Sequence, residues 1–367
     1  MNFMKKNVMN YIRISFLGLV LAVGFAACNK NLPLATPILF PKSGDTTIFG
    51  LLNRDTSLSF YRAAVIKAGL SGYLNNDSQN LTVFIPNNAA FIASGIPSIG
   101  VVNALPAASL AGIVSYSIIP GERFVDSITP ISTNFPNVQL PSYITISTLP
   151  GTAIPINLPV FPSKRPTGFW LNNIPVTGSN LRASNGIVHF LSRIVAPPTQ
   201  VLAQLLGFDP NISLFNALIA RGDSGQVGLN AIGGATGALA YPIANLTVFA
   251  PTNAAFNAIG ITSAAQINAF PVQTARAIAV YHIMPYRAFS VNFPTTATFF
   301  PTLLNGGIPT HPGVKVQATF IGGFGAALQV TGVGNGGVAA NSFAPANLDK
   351  NAVNGVEHII DRVLLPQ

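Results

Sequence analysis

Four histidines, His189, His282, His311 and His358, and ten acidic residues make up the chain's stock for acid–base or metal chemistry. Their spacing argues against both, because no close cluster of His, Cys or carboxylate occurs to suggest a metal site. His189 and His358 each stand three residues after an Asn-Gly pair in two similar stretches, as expected of a histidine that hydrogen-bonds within its own core. Gly222-Asp223-Ser224-Gly225 imitates the nucleophile loop of a serine protease. That chemistry needs a histidine base and an orienting acid brought together, and nothing in the sequence places a histidine beside Ser224. The overlapping Arg221-Gly222-Asp223 is a tripeptide that some integrins recognise. It follows an apolar helix expected over 212–220, where Gly222 serves as the C-cap and Asp223-Ser224 as the turn. The expectation is a chain without catalytic centre, metal or cofactor.

Cys28 offers a different chemistry. Lys5, Lys6 and Arg13 precede an apolar run over 14–27, too short to span a bilayer as a mature helix, and Cys28 follows at once. Gly24-Phe25-Ala26-Ala27-Cys28 resembles a bacterial lipobox, with Phe25 where that pattern prefers Leu. The expectation is a signal peptide over 1–27 and lipidation of Cys28; the alternative is an ordinary signal peptide cleaved near Ala27, leaving a free thiol. Several acyl chains on one residue hold a protein stably, at about 0.8 kcal/mol per buried methylene. As the chain's one cysteine it leaves no intramolecular disulfide. Residues 28–44 carry Pro33, Pro37 and Pro41 and read as an extended tether.

The elements that position these residues come in two sets. Asn80-Leu81-Thr82-Val83-Phe84-Ile85-Pro86-Asn87-Asn88-Ala89-Ala90-Phe91 returns 165 positions later as Asn245-Leu246-Thr247-Val248-Phe249-Ala250-Pro251-Thr252-Asn253-Ala254-Ala255-Phe256. Tyr116, Pro120 and Phe124 fall on Tyr281, Pro285 and Phe289 at the same offset. Asn185-Gly186-Ile187-Val188-His189 closes the first copy as Asn354-Gly355-Val356-Glu357-His358 closes the second. A period this long predicts two self-contained domains, over 45–198 and 199–367, rather than solenoid units.

Within each copy, 81–85 and 246–250 read as buried strands stopped by proline. Asn87-Asn88 and Thr252-Asn253 are placed to cap the helix that follows, and Gly95 and Gly260 to end it in a left-handed turn. Further helices are expected over 107–117, 200–206 and 264–282, with strands over 143–147, 314–321 and 328–333. Helices early and strands late in each copy predict an α+β fold.

At these residues the chain resembles the fasciclin family. The resemblance rests on Thr247-Val248-Phe249-Ala250-Pro251-Thr252-Asn253-Ala254-Ala255-Phe256, on Tyr281-His282, and on Asn354 to Asp361 running into Val363-Leu364 and Pro366. The first copy carries the same pattern at Thr82, Phe84, Pro86, Asn88, Phe91, Asn185, Gly186 and His189, with Ser117 opposite His282 and Ser192 opposite Asp361. The resemblance implies tandem domains, each a helix set packed on a β-sandwich-like wedge, found outside cells or in the envelope. It further implies adhesion or binding of protein or polysaccharide, no enzymatic activity, and motif residues that are mostly structural.

Composition agrees with a surface-contact role. Charged residues are 8% of the chain against about 25% in an average soluble domain, hydrophobic residues 49%, and mean hydropathy is +0.47. Without residues 1–27 the 19 basic residues fall to 16 against 10 acidic ones, a formal +6, scattered so that no nucleic-acid footprint forms. No window after Cys28 has some 20 continuous apolar residues. The sequons at Asn80, Asn211 and Asn245 read as turns and caps, and Phe289, Phe293, Phe299 and Phe300 as core or partner-facing rings. The expected whole is an envelope lipoprotein, outer membrane by family habit, whose partners are the membrane through Cys28 and a protein or polysaccharide ligand. The alternative is a periplasmic structural or assembly subunit.

Overall fold

The apolar run Leu81-Thr82-Val83-Phe84-Ile85-Pro86 forms strand β1 (Leu81–Pro86), and every residue of it is buried because both faces are covered. Leu81, Val83 and Ile85 face a helical layer, and Phe84 faces a layer of β-structure. The computed structural model describes residues 44–128, 140–146, 156–227, 230–234, 237–343 and 346–367. The expected signal peptide, Cys28 and nearly all of the tether lie outside these.

The first copy opens with helices α1 (Ile48–Arg54), α2 (Ser59–Lys67) and α3 (Ser71–Leu74) ahead of β1. Asn87 then accepts a hydrogen bond from the Ala90 amide and starts α4 (Asn88–Ala93). Helices α5 (Ile99–Ala104) and α6 (Ala107–Tyr116) lead to β2 (Ile118–Pro120), β3 (Leu140–Ile146), β4 (Ile156–Val160), β5 (Pro162–Arg165), β6 (Gly168–Leu171), β7 (Ile174–Ala183) and β8 (Gly186–Leu191). The described strands order as β2-β1-β8-β7-β6-β5, with β3 and β4 paired separately.

The second copy repeats the plan with α7 (Leu202–Phe208), α8 (Ser213–Gly222), β9 (Leu246–Pro251), α9 (Asn253–Asn257), α10 (Ala264–Asn268), α11 (Val272–Tyr281) and β10 (Ile283–Met284). Strands β11 (Thr298–Phe300), β12 (Val314–Ile321), β13 (Phe324–Thr331), β14 (Ala340–Phe343), β15 (Lys350–Ala352) and β16 (Gly355–Ile360) follow. They form sheets β10-β9-β16-β15 and β11-β12-β13-β14. Thr252 caps α9 through the Ala255 amide, and Gly95 and Gly260 take φ of 86° and 82°. The fold is α+β in two tandem copies.

Four expected elements differ. The helix expected over 212–220 runs over Ser213–Gly222, so its C-cap is Asp223 and not Gly222. The helix expected over 264–282 is two, because Pro271, with φ −55° and ψ 138°, supplies no amide hydrogen and turns the chain before α11. The first copy has the same break at Pro106. The strand expected over 328–333 starts at Phe324, since its hairpin with β12 begins at the Ile321–Phe324 pair. The strand expected over 143–147 begins at Leu140, and its expected end at 147 lies outside the described residues.

Candidate functional site

The two signature stretches of each copy, about a hundred residues apart in sequence, lie side by side. Strand β1 runs parallel to β8 with Phe84 opposite His189, and β9 runs parallel to β16 with Phe249 opposite His358. Each histidine ring stacks on its phenylalanine, at 4.9 Å and 27° in the first copy and 5.7 Å and 26° in the second. In both, Nδ1 accepts a backbone amide, Asn180 N at 3.3 Å and Asp349 N at 3.2 Å. The proton therefore sits on Nε2, which donates to the carbonyl of Arg123 at 2.9 Å or Ala288 at 3.0 Å. Burial lowers the pKa of both, so each is a neutral pin between strand and loop.

His282 closes α11. Its Nδ1–H donates to Ile278 O at 2.8 Å, and its Nε2 accepts from Leu364 N at 2.9 Å, fastening the C-terminal tail. Full burial lowers its pKa to about 4. In the first copy Ser117 stands here, and the compensation is Tyr61, whose hydroxyl meets Ser117 Oγ at 2.8 Å while Ser117 Oγ donates to Val114 O. The residue on the matching helix of the second copy is Phe215, packed on the His282 ring at 5.3 Å. The pair Tyr–Ser thus replaces the pair Phe–His in one core.

The remaining motif residues also bond within the fold. Thr82 and Thr247 each donate to a loop carbonyl, Gly121 and Tyr286, and each accept a loop amide, Arg123 and Ala288. Pro86 and Pro251 end their strands, and Phe91 and Phe256 are buried in the helical layer. Asn88 and Asn253 accept the amides of Phe60 and Leu214, holding the preceding helix. Asn185 and Asn354 bond Ile48 N and Leu202 N and donate back to two backbone carbonyls each. Gly186 and Gly355 are forced by crowding, since an added Cβ falls 2.1 Å from Leu81 O or 2.3 Å from Leu246 O. Tyr281 donates to Gly313 O, and Asp361 accepts from the amide and side chain of Asn341 on β14.

Asp223 of the Arg-Gly-Asp stretch does not project for a receptor. Its carboxylate accepts from Ile232 N and Gly233 N at 2.7 Å and pairs with Arg276 at 3.2 Å, while Arg221 Nε donates to Phe270 O. His311 likewise bonds Pro366 O and Gly313 N. Among the described residues no group of three or more His, Cys, Asp or Glu is placed to hold a metal, and no helix is long and apolar enough to cross a membrane.

The two copies meet along a seam whose residues the motif pattern does not single out. Phe161 and Trp170 of the first copy bury with Phe289, Val291 and Val356 of the second. Trp170 Nε1 donates to Gly323 O, and Arg165 on β5 donates to Val291 O and Phe293 O at 2.7 Å. Asn292 Nδ2 donates to Ser163 Oγ at 2.9 Å. Arg287, 3% exposed, bonds Asn245 Oδ1, Asn351 Oδ1, Ala352 O and Val353 O and lies 4.4 Å over the Phe161 ring. Burial lowers its pKa to about 10, which leaves it protonated at neutral pH. The repeat contains a signal for the seam in its differences. Glu122, Phe124, Asp126 and Ser127 occupy in the first copy the places of Arg287, Phe289, Val291 and Asn292, and Asp126 and Ser127 there are exposed. Phe289 is buried, but not because Phe124 is; Phe124 is only half-buried under Arg182, and Phe289 is covered by the other copy. Phe293 and Phe300 are buried too, whereas Phe299 is exposed.

One charge stands out within the second copy. Glu357, 1% exposed on β16, occupies the place of Val188 in the first copy. Its Oε2 lies 3.7 Å from Lys350 Nζ, which also pairs with Asp209 at 3.4 Å, and its Oε1 is buried without a hydrogen-bond partner. Burial raises its pKa to about 7, with Lys350 opposing and Asp209 adding to the rise.

A model of the fasciclin domain matches residues 56–197 and 229–366. No curated protein matches the chain. Among solved structures the chain is similar to a FAS1 domain pair from the insect cell adhesion molecule fasciclin I. Identity is 16% over 84% of this chain and 97% of that one, with a TM-score of 0.35.

Proposed function

This chain belongs to the fasciclin domain family, carrying two tandem copies, and from that premise we propose that it is a lipid-anchored envelope protein whose paired domains bind protein or polysaccharide partners at the outer face. The observation that carries the reading is where the repeated residues go. His189, His282 and His358 spend both ring nitrogens on backbone groups, and the motif threonines and asparagines do the same with their polar atoms. Nothing in the shared pattern is left over for chemistry, so selection on the outer surface is the reading that remains. The seam supports it by making one broad, weakly charged body of two domains, and little charge has to be desolvated when such a face meets a partner.

Cys28 supplies the location. It follows the basic and apolar leader directly, and a proline-bearing stretch separates it in sequence from the first domain. Metabolic labelling with a palmitate analogue tests the anchor. The wild type takes up label and sediments with membranes, and Cys28→Ala does neither; equal labelling of the two removes the anchor from the account.

A further inference from the structure

The seam leaves a half-open cleft of about 370 Å³, lined from the first copy by Asn173, Ile174 and Arg193 and from the second by Phe324, Ala326, Leu348 and Asp349. This volume is in the lower part of the roughly 300–1,000 Å³ range of small-molecule pockets, the scale of a sugar ring rather than of a helix. We propose that the cleft binds a carboxylate-bearing sugar, a hexuronate unit of an acidic polysaccharide, through Arg193. The inference rests on the binding reading above and names a ligand for it.

Arg193 is exposed, and among the described residues its guanidinium makes no hydrogen bond or ion pair. It stands over the Phe324 ring, 5.0 Å from the centroid. That stacking holds the planar fork in place while leaving its N–H donors free, and an arginine fork matches a carboxylate bidentately. Asn173 sits half-buried on the β6–β7 turn, where Asn172 takes φ 56°. Its amide offers both a donor and an acceptor, as neighbouring sugar hydroxyls require and a lone carboxylate does not. Ile174, Ala326 and Leu348 give the aliphatic wall against which the C–H face of a pyranose packs.

Asp349 is the buried acid of the lining, its side chain 4% exposed and its oxygens accepting from Ser290 N at 2.6 Å and Ser290 Oγ at 2.5 Å, so the exposed charge of the cleft is Arg193. The site exists only because the copies are joined, since the cation and the amide come from one and the stacking ring from the other.

Calorimetric titration of the purified chain with trigalacturonate, with maltotriose as the neutral control and an acidic tripeptide as the other carboxylate source, tests the proposal. Trigalacturonate should bind at least tenfold tighter than either control, and Arg193→Gln should lose at least tenfold of that affinity with an unchanged melting temperature. Arg193→Lys should fall between them, and Asn173→Asp, which adds an anion at the rim, should also weaken binding. No measurable binding of trigalacturonate, equal affinity for maltotriose, preference for the tripeptide, or wild-type affinity in Arg193→Gln overturns the cleft assignment. None of those outcomes touches the anchor, which the palmitate experiment reads separately.

Discussion

Replacing Glu357 by glutamine should change the pH dependence of stability more than stability itself. The carboxyl's pKa rises from 4.5 to about 7 on folding because burial disfavours the charged form. A raised carboxyl pKa means that the folded state keeps a proton which the unfolded state releases. Its contribution is therefore full below pH 4.5 and lost as pH climbs to about 7. A shift of about 2.5 units at 1.36 kcal/mol each comes to about 3 kcal/mol. His282 works in the opposite sense. Its pKa falls from 6.5 to about 4, so its contribution is full above pH 6.5 and lost as the solution is acidified to about 4, again by about 3 kcal/mol. The two slopes oppose each other between pH 4.5 and 6.5, which leaves the wild type flatter than either group alone would make it. Equilibrium unfolding in urea, followed by circular dichroism at pH 4.5 and 7.5, should show Glu357→Gln gaining about 3 kcal/mol on the wild type between the two pH values. A stability difference that is the same at both within about 0.5 kcal/mol refutes the buried, reluctant carboxyl.

Four further outcomes follow from the geometry. His282→Leu should cost about 1–3 kcal/mol at pH 7.5 by orphaning the Leu364 amide, and should steepen the fall in stability as pH rises past 4.5, since Glu357 is then unopposed; denaturant titration reads both. Val291→Asp, which writes the first copy's residue into the seam, should cost at least ~3 kcal/mol and shift Trp170 emission to the red, Trp170 being the chain's one tryptophan and 3% exposed. The reverse change, Asp126→Val on the exposed turn of the first copy, should stay within about 0.5 kcal/mol and leave the emission unmoved. Gly186→Ala and Gly355→Ala should each cost several kcal/mol, about 3 or more, or prevent folding, because the new methyl meets a strand carbonyl; expression of folded protein by circular dichroism decides it.

The local part of the fold was legible, because the signals that set it act over a few residues. Asn87 and Thr252 start their helices through the amide three residues on, and Gly95 and Gly260 take the left-handed turn their position asks for. Helix length is not legible across Pro271, because the apolar pattern of α10 resumes in α11 and periodicity alone does not register the missing amide. The parallel pairing of β1 with β8 and of β9 with β16 is long-range, and nothing within either strand encodes its partner. Compensation across the core was equally hidden. Ser117 in place of a histidine reads as a lost feature in the sequence, and the compensating Tyr61 lies 56 positions away from it. The seam had a trace in the sequence, the replacement of Glu122 and Asp126 by Arg287 and Val291 at equivalent places, but a repeat shows what two copies share more readily than why they differ. Asp223 shows the converse, a familiar tripeptide whose carboxylate the fold consumes in a turn.

The central claim is that the paired domains are displayed outward from a membrane anchor at Cys28. The most direct measurement is labelling of the lysines of intact cells with a membrane-impermeant amine reagent, compared with lysed cells and read on the recovered chain. The account predicts equal labelling before and after lysis. Labelling that appears only after lysis contradicts outward display and leaves a periplasmic subunit as the role to pursue.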